Sequence, residues 1–512
     1  MKNKHLEPIL YSLLIIVGVL IGSYINKPTL ETNTKNHKIN SVLDLIRYHY
    51  VDTINTSIFN TKVINAILDE LDPHSDYINP EKFKGIEQDM QGSFSGIGVQ
   101  FNIINDTIVV IAAISGGPSE KLGIQSGDKI IEVENENVSN ISIKNEGVIK
   151  RLRGKKGTVV KIKILRKGSA DLLDFAIVRD DIPLYSVDAS IMISDNIGYI
   201  KVNRFAATTF DEFMTGTNKL LDRGMQKLIL DLRGNPGGYL TVAISICDEI
   251  LDEDNLIVYT KGRNRQRENI YATKHGILQN TEIIVLIDEG SASASEIVSG
   301  AIQDNDRGLI IGRRSFGKGL VQEQIELNDG SVLRLTTQRY YTPSGRCIQR
   351  KYGKNDKEYY TEPYLTKEEN IQDTLIFTTK KGRTVYGGGG ISPDLIIKRD
   401  SALNYLQINL MISKGWVNEF CLDYSFVLNN NKTQNSKQLF ISSQNQDEIY
   451  TSFLDFIKKR DEALKITIGE VELEYFKNFL KATIARNLWD SETYYKILIK
   501  EDSFIKKAIT KS

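Results

Sequence analysis

The sequence is poor in cysteine and histidine, and it has no excess of charge of either sign. Its 512 residues include three cysteines, Cys247, Cys347 and Cys421, which are far apart and form no CxxC pair. An odd, sparse set of this kind excludes a disulfide framework and argues against a structural zinc site. Cys247 lies in the apolar run AISICDEIL, which predicts a buried and unreactive thiol. We therefore expect neither a metal nor another cofactor.

The balance of charge excludes a second class of function. Lysine plus arginine number 65, and so do aspartate plus glutamate. There is thus no global field that would favour nucleic acid as a partner, and binding specificity must come from local sites.

Histidine, the usual base of serine peptidases, is scarce. Of the five histidines, only His275 falls within the part of the chain that alternates strands and helices, and it follows a polar segment typical of the surface. His49 and His74 lie further upstream, where a surface or structural role is the simpler interpretation. A Ser/His/Asp triad is therefore poorly supported.

Long hydrophobic runs are also missing, apart from one at the N-terminus. No residue between Glu7 and Lys27 is charged, and the run ILYSLLIIVGVLIGSYI follows Lys2 and Lys4. This pattern fits a membrane-spanning helix or a signal segment at residues 8–26. No Ala-x-Ala-like site follows, so we favour an uncleaved anchor in a bacterial inner membrane. The lysines place the N-terminus in the cytoplasm and the rest of the chain in the periplasm, although Lys27 weakens this inference.

The remaining chain divides by its hydrophobic periodicity. After a polar linker, residues 41–90 predict two amphipathic helices, and residues 91–180 predict a small, partly open β-barrel with two helices. Residues 181–400 alternate strands and helices, which predicts an α/β core with a mostly parallel sheet, followed after Gln322 by antiparallel additions. Residues 401–512 read as a helical appendage whose aromatic residues serve as core or oligomer contacts.

The β-rich segment resembles a PDZ domain. Its run GGPSEKLGIQSGDKIIEVENENV is similar to the middle of that domain, and Gly96, Ile97, Gly98 and Val99 match the glycine-rich loop that holds a peptide C-terminus. Consecutive backbone N–H groups in such a loop can bind a terminal carboxylate, while a strand edge accepts the peptide. Taken alone, a glycine loop before a strand is more often a tight turn.

A second stretch, Glu282 to Gln324, carries the candidate chemistry. It predicts a strand, a helix beginning at Ser293 and, on a following strand, Lys318 between two glycines. A hydroxyl at a helix N-terminus lies beside unpaired N–H groups, and a desolvated lysine can act as a neutral base. The residues alone leave other interpretations open: Ser291, Ser293 and Ser295 could all be helix caps, and Lys318 could be a solvated strand lysine.

Several motifs in order resemble the carboxy-terminal processing, or tail-specific, proteases of peptidase family S41. They are LDPHSDYINPEKF, DLRGNPGGYL, SASASEIVSGAIQDNDRGLIIG, FGKGLVQ, YYTPSGRCIQ and GISPD, and they extend from about residue 40 to about residue 398. The resemblance implies Ser293 as nucleophile and Lys318 as base. It implies Gln322 as the residue that orients the lysine, since positions four apart on a strand face the same side.

The resemblance also implies an oxyanion hole. Its donors would be backbone N–H groups of Gly237 or Gly238 in the glycine turn, and of Ala294 after the nucleophile. Without the family, the turn at Asn235 could be a phosphate-binding loop, although it lacks the GxGxxG spacing.

The sequence therefore predicts a serine endopeptidase that takes C-terminal tails of proteins through its PDZ domain and cleaves by a Ser/Lys acyl-enzyme mechanism. A non-catalytic PDZ scaffold that binds tails is the alternative from another class. A third hypothesis is a related peptidase whose substrate does not enter through the PDZ groove. Self-association through the C-terminal helices is a further expectation.

Overall fold

The computed structural model describes residues 37–511 except 115, 274–275, 354–355, 366–374, 399–405, 431–435, 462–463 and 465. The predicted anchor at residues 8–26 and His275 lie outside the described residues. Within the described ranges, no helix has the length and apolar character needed to cross a bilayer. The described chain divides into two compact units between Ile67 and Leu68.

The two helices predicted near the N-terminus are present as α1 (His37–His49) and α2 (Thr56–Leu68). They are followed by strand β1 (Asp76–Ile78) and helix α3 (Pro80–Gln91). The prediction missed α3, although its signals are local. Asn79 caps it by accepting the Lys82 N–H, Pro80 is its first residue, and Gly92 ends it at φ 76°.

The domain that resembles a PDZ domain is inserted between two paired strands. Its elements are β2 (Ser93–Gly96), β3 (Val99–Ile104), β4 (Thr107–Ala113), α4 (Pro118–Lys121), β5 (Lys129–Val133), β6 (Glu136–Asn137), α5 (Asn145–Leu152), β7 (Val159–Leu165), β8 (Leu173–Val178) and β9 (Asp180–Pro183). The entering strand β2 and the leaving strand β9 form an antiparallel ribbon. The main sheet has the order β3-β4-β5-β7-β8, so β3 is an edge strand among the described residues.

The α/β core follows. Its elements are β10 (Val187–Met192), β11 (Ile197–Val202), α6 (Thr209–Leu221), β12 (Lys227–Asp231), α7 (Leu240–Ile250), β13 (Leu256–Gly262), β14 (Glu268–Tyr271), β15 (Glu282–Ile287), α8 (Ala294–Asp304), β16 (Gly308–Gly312), β17 (Leu320–Glu326), β18 (Val332–Tyr341), α9 (Asp356–Leu365), β19 (Leu375–Thr378), β20 (Thr384–Gly387) and β21 (Leu395–Ile396).

The central sheet has the order β10-β11-β12-β15-β16-β21, and every pair except β10 with β11 is parallel. The predicted mostly parallel sheet is therefore confirmed. All five residues of β12 are buried, because helices cover both faces of the sheet. Side chains of α6, α7 and α8 fill the core on one face.

A second sheet contains the antiparallel additions. Its order is β1-β18-β13-β14, with β17 also paired to β18. The expectation that the charged, tyrosine-containing stretch 351–370 adds extended structure was wrong for residues 356–365, which form α9. Tyr359 of this helix is buried against Phe316 and His74, and these contacts hold the helix on the core.

The C-terminal region is helical, as predicted. Its helices are α10 (Leu406–Ser413), α11 (Trp416–Asn430), α12 (Lys437–Ser442), α13 (Gln446–Lys458), α14 (Glu470–Leu488), α15 (Ser491–Leu498) and α16 (Ser503–Thr510). Most of them share a core of their own. The description as an appendage was wrong for the last two, because Tyr495 of α15 and Phe504, Ile505 and Ala508 of α16 pack on the second face of the central sheet.

Candidate active site

Two loops meet at one edge of the central sheet. Strands β12 and β15 are adjacent and parallel, so the segments that follow them leave the sheet side by side. In the first segment, Gly237 has φ +100°, and a Cβ placed on it would lie 2.8 Å from the Ser293 Cβ and 2.9 Å from the Ala294 nitrogen. Only glycine fits this close approach, which brings the predicted oxyanion turn against the predicted nucleophile.

Ser293 differs from the two neighbouring serines in accessibility and in backbone conformation. Ser291 and Ser295 are fully buried, and their hydroxyls donate to the Leu232 carbonyl at 2.8 Å and the Asn235 carbonyl at 2.9 Å. Those two serines therefore join the loops. Ser293 is only half-buried and has φ +54° and ψ −111°, which is rare for a residue with a side chain. Such strain is typical of functional sites, and the sequence did not reveal it.

Lys318 is half-buried in an irregular segment before β17, so its predicted placement on a strand was wrong. The backbone N–H groups here bond to side chains instead of a neighbouring strand. Those of Gly317 and Lys318 donate to Glu296, and that of Gly319 donates to the Gln349 side chain at 2.8 Å. Both glycines are needed, because a Cβ at either position would meet neighbouring atoms at 2.9 Å.

Glu296 joins the two candidate catalytic residues, and the sequence prediction missed it. Its Oε2 accepts the backbone N–H of Ser293 at 2.8 Å and that of Lys318 at 2.8 Å. Its Oε1 accepts the Gly317 N–H at 2.7 Å and the Ser315 hydroxyl at 2.5 Å. A glutamate three residues after a helix-capping serine would signal only a capping box. The sequence pattern therefore did not indicate the bond to Lys318.

The electrostatics of the site lower the pKa of Lys318. Burial lowers the pKa of Lys318 to about 8, and the positive charge of Arg334 on β18 acts in the same direction. Burial also raises the pKa of Glu296 to about 7, although its four hydrogen-bond donors oppose this shift. A lysine with a pKa near the working pH can accept and return a proton.

Tyr340 forms a second link between the same residues. Its hydroxyl donates to the Ser293 carbonyl at 3.2 Å and makes a short hydrogen bond with the Lys318 carbonyl. The ring is 1% exposed, and burial raises the pKa of the phenol well above its usual value. Tyr340 therefore acts as a neutral donor that holds both main-chain segments.

Gln322 lies on β17, but Lys318 does not, so the expectation that the two side chains face the same side of one strand was wrong. Lys318 precedes the strand, and the register with β18 shifts between Val321 and Gln322, so the rule that positions four apart face the same side does not apply. Among the described residues, the Nε2 of Gln322 is buried and has no hydrogen-bond partner.

The predicted oxyanion donors are not equivalent. The N–H of Gly237 donates to Asn235 Oδ1 at 2.9 Å and is thus already occupied. Gly237 is therefore corrected from a donor to a packing residue. The N–H groups of Gly238 and Ala294 have no acceptor among the residues that the structure describes. The neighbouring Phe205 bonds to the carbonyl of Gly237 and to the N–H of Tyr239, which leaves the Gly238 N–H free.

His74 lies close to this site and is held by hydrogen bonds on its backbone and its ring. Its Nε2 is 3.0 Å from the Tyr359 hydroxyl, and Asp72 accepts its backbone N–H at 2.9 Å. Burial and the charge of Lys318 lower the pKa of His74 to about 4, so the ring is neutral at physiological pH. Tyr359 in turn accepts a bond from Gln349, which holds the Gly319 N–H. The structural role predicted for His74 is thus support of the Lys318 segment.

The PDZ loop has the features of a carboxylate site. Gly96 ends β2 and Val99 begins β3, and Gly98 between them has φ +75°. The N–H groups of Ile97 and Gly98 bond to none of the described residues.

No group of three metal-ligating side chains occurs in the described part of the chain.

Family models match both domains. That of peptidase family S41 matches residues 196–358, and that of the PDZ domain matches residues 95–177. The photosystem II D1 C-terminal processing protease has a solved structure that is 24% identical, with a TM-score of 0.38, and the match covers 70% of this chain and 87% of that one.

The matches to two related proteins extend over most of the length of those proteins. The carboxy-terminal-processing protease of Bartonella bacilliformis is 38% identical over 326 residues, which are 62% of this chain and 74% of that protein. The carboxy-terminal processing protease CtpA of Bacillus subtilis is 32% identical over 392 residues, which are 75% of this chain and 80% of that protein. These relationships favour the peptidase over the non-catalytic scaffold. The chain is a serine-type peptidase with a PDZ domain, and it belongs to the carboxy-terminal processing proteases of peptidase family S41.

Proposed function

We propose that this peptidase cleaves proteins whose nonpolar C-terminal tail is held by the PDZ domain, and that Ser293 and Lys318 perform the chemistry. The observation that carries the proposal is the pair of hydrogen bonds from Ser293 and Lys318 to the same oxygen of Glu296. These bonds hold the accessible serine and a lysine of lowered pKa in one site. No histidine needs to take part.

In the proposed mechanism, the Ser293 hydroxyl attacks the scissile carbonyl while the neutral amine of Lys318 accepts its proton. Lys318 then gives the proton to the leaving amine and later activates a water that hydrolyses the acyl-enzyme. The N–H groups of Gly238 and Ala294 stabilise the oxyanion, which their freedom from other acceptors supports.

Gln322 keeps the role of orienting Lys318 in this proposal. Its buried Nε2 has no partner among the described residues, and a neutral amine carries a lone pair that can accept a hydrogen bond. A bond of this kind would favour the unprotonated lysine.

Tail binding uses two features of the PDZ domain. The free N–H groups of Ile97 and Gly98 can receive the terminal carboxylate, and the edge of β3 can pair with the extended tail. The face of β4 that carries Val109 is already covered, because Leu422 of α11 packs on it.

We further propose that residues 8–26 anchor the protein in the bacterial inner membrane with the peptidase in the periplasm. The uncharged run and the preceding Lys2 and Lys4 support this placement. Carbonate extraction tests it: the full chain should stay with the membranes, and a chain beginning at residue 37 should be released. Release of the full chain would overturn the anchor.

The function is tested with a folded protein that carries a nonpolar C-terminal tail. The wild-type enzyme should cleave it, as seen by mass spectrometry, and the Ser293→Ala variant should bind it without cleavage. Ser245→Ala is the control, because the Ser245 hydroxyl donates within helix α7, to the Thr241 carbonyl at 3.1 Å, and joins no loops of the site. Cleavage by purified Ser293→Ala would refute the assignment, and binding without cleavage by the wild type would favour the scaffold.

A further inference from the structure

Arg233 lies between a strand of the central sheet and the glycine turn. It follows β12 by two residues, and Asn235, which orders the turn, comes two residues later. Its Nε donates to Asp231 Oδ1 at 3.0 Å, and its Nη2 donates to Asp231 Oδ2 at 2.6 Å. The guanidinium is thus fixed on one side by the strand it follows.

The other side of Arg233 is held by the C-terminal region. The Nη1 of Arg233 is 2.8 Å from Oδ2 of Asp502, which precedes α16. The ring of Phe504 lies under the same guanidinium, 4.6 Å away, and also 5.1 Å from the guanidinium of Arg313 after β16. The start of α16 therefore contacts the ends of two strands at the active-site edge.

Asp502 performs two tasks with its two oxygens. Oδ1 caps α16 by accepting the N–H groups of Phe504 at 2.8 Å and Ile505 at 3.3 Å. Oδ2 pairs with Arg233. The helix is in turn fixed on the sheet by Phe504, Ile505 and Ala508, so the carboxylate is presented from a rigid element.

The turn after Arg233 is ordered by hydrogen bonds to Asn235, two residues further along the chain. Asn235 Oδ1 accepts the Gly237 N–H at 2.9 Å, and the Asn235 carbonyl accepts the Ser295 hydroxyl at 2.9 Å. A rotation of the chain at Arg233 would thus move the Gly238 N–H relative to Ser293. Displacements of about 1 Å can cost a catalytic site on the order of a hundredfold in rate.

We propose that Asp502 is a positioning residue for peptide hydrolysis: through Arg233, the C-terminal helix α16 fixes the turn that supplies the Gly238 donor. This inference rests on the proposed function, in which that turn stabilises the oxyanion. It assigns a positioning task to a region outside the matched family model, which ends at residue 358.

The test is Asp502→Asn in the full chain. Asparagine can still cap the helix, but it loses the charge that pairs with Arg233. Asp490→Asn is a closely matched control, because Asp490 Oδ1 caps α15 at Thr493 and its Oδ2 pairs with Lys437, away from the site. Asp502→Ser, another cap-forming substitution, serves as the second variant.

The measurements are kcat and KM for a tailed substrate, and the affinity of a tailed peptide aldehyde whose adduct carries an oxyanion-like oxygen. Both Asp502 variants should lower kcat and the aldehyde affinity together by about tenfold or more, with KM changed less than about twofold. Asp490→Asn should leave all three unchanged.

An aldehyde affinity equal to that of Asp490→Asn would overturn the inference, even if kcat falls, because the defect would then be a general one. Failure of the wild type to cleave would instead refute the proposed function, and with it this inference. The two failures are therefore distinguishable.

Discussion

Glu296 accepts the backbone N–H of Lys318 at 2.8 Å with the same oxygen that accepts the N–H of Ser293. A single buried carboxylate thereby sets the separation of the segments that carry the proposed nucleophile and the proposed base. Because the side chain is 0% exposed and contacts neither reacting atom in this arrangement, Glu296 acts through the backbone.

The first prediction concerns Glu296→Gln. An amide has one acceptor oxygen, and its nitrogen would face N–H donors, so Ser293 and Lys318 should no longer be held together. Loss of one charged hydrogen bond corresponds to about 1.5–3 kcal/mol, so kcat should fall roughly 10- to 100-fold while KM stays similar. Glu249→Gln is the control, since Glu249 is a buried carboxylate near the C-terminal end of α7, away from the site, and accepts the Ile277 N–H. Equal kcat values for the two variants would contradict the prediction.

The second prediction concerns pH. Below its pKa of about 8, Lys318 is protonated and cannot accept the Ser293 proton, so kcat/KM should rise with pH and level off above about 8. Arg334→Gln removes a neighbouring positive charge, which should raise the pKa of Lys318 and move the rise to higher pH. Arg339→Gln, on the exposed part of the same strand, should leave the profile unchanged. The role of Lys318 as base would be untenable if activity fell with rising pH across this range.

The third prediction compares two glycines of one turn. Gly234 at φ +67° has no atom within 4 Å of an added Cβ, whereas Gly237 at φ +100° would place its Cβ against Ser293. Gly234→Ala should therefore lose about 1–2 kcal/mol of unfolding free energy from backbone strain and keep its activity. Gly237→Ala should lose labelling of Ser293 by a fluorophosphonate. Full labelling of Gly237→Ala would show that the turn does not need this close approach.

The fourth prediction tests how the substrate enters. A nonpolar peptide with a free C-terminal carboxylate should compete with the tailed substrate for the Ile97 and Gly98 N–H groups, which we propose as the carboxylate site. The same peptide with an amidated C-terminus should compete much less. If neither peptide slows cleavage, the substrate reaches Ser293 without the PDZ groove, as the third hypothesis states.

Much of the fold could be predicted because its signals are local. The apolar run of β15, the helix beginning after Ser293 and the buried strand β12 follow from hydrophobic periodicity and helix-start signals. The mostly parallel sheet follows from their alternation along the chain. The close packing at Gly317 and Gly319 was also expected from their lack of a side chain.

The predictions that failed depended on side chains that take up backbone N–H groups, in one case from distant parts of the chain and in the other from two residues away. Lys318 is not on a strand because side chains of Glu296 and Gln349 take the N–H groups of its segment. Gly237 is not a free donor because the Asn235 side chain occupies its N–H. Neither bond leaves a periodic trace in the sequence.

The sequence by itself determined which residue types the site contains, since the motifs name one lysine, three serines and a glycine turn in a defined order. The family resemblance implies Ser293 among the three serines, but only the tertiary structure shows how they differ physically. It left Ser293 accessible at a strained φ while burying Ser291 and Ser295, and it desolvated Lys318. It also paired Asp502 with Arg233, which lies 269 residues earlier in the chain. Accessibility, strain and long-range pairing arise from the packing of the whole chain, and a local pattern carries no information about them.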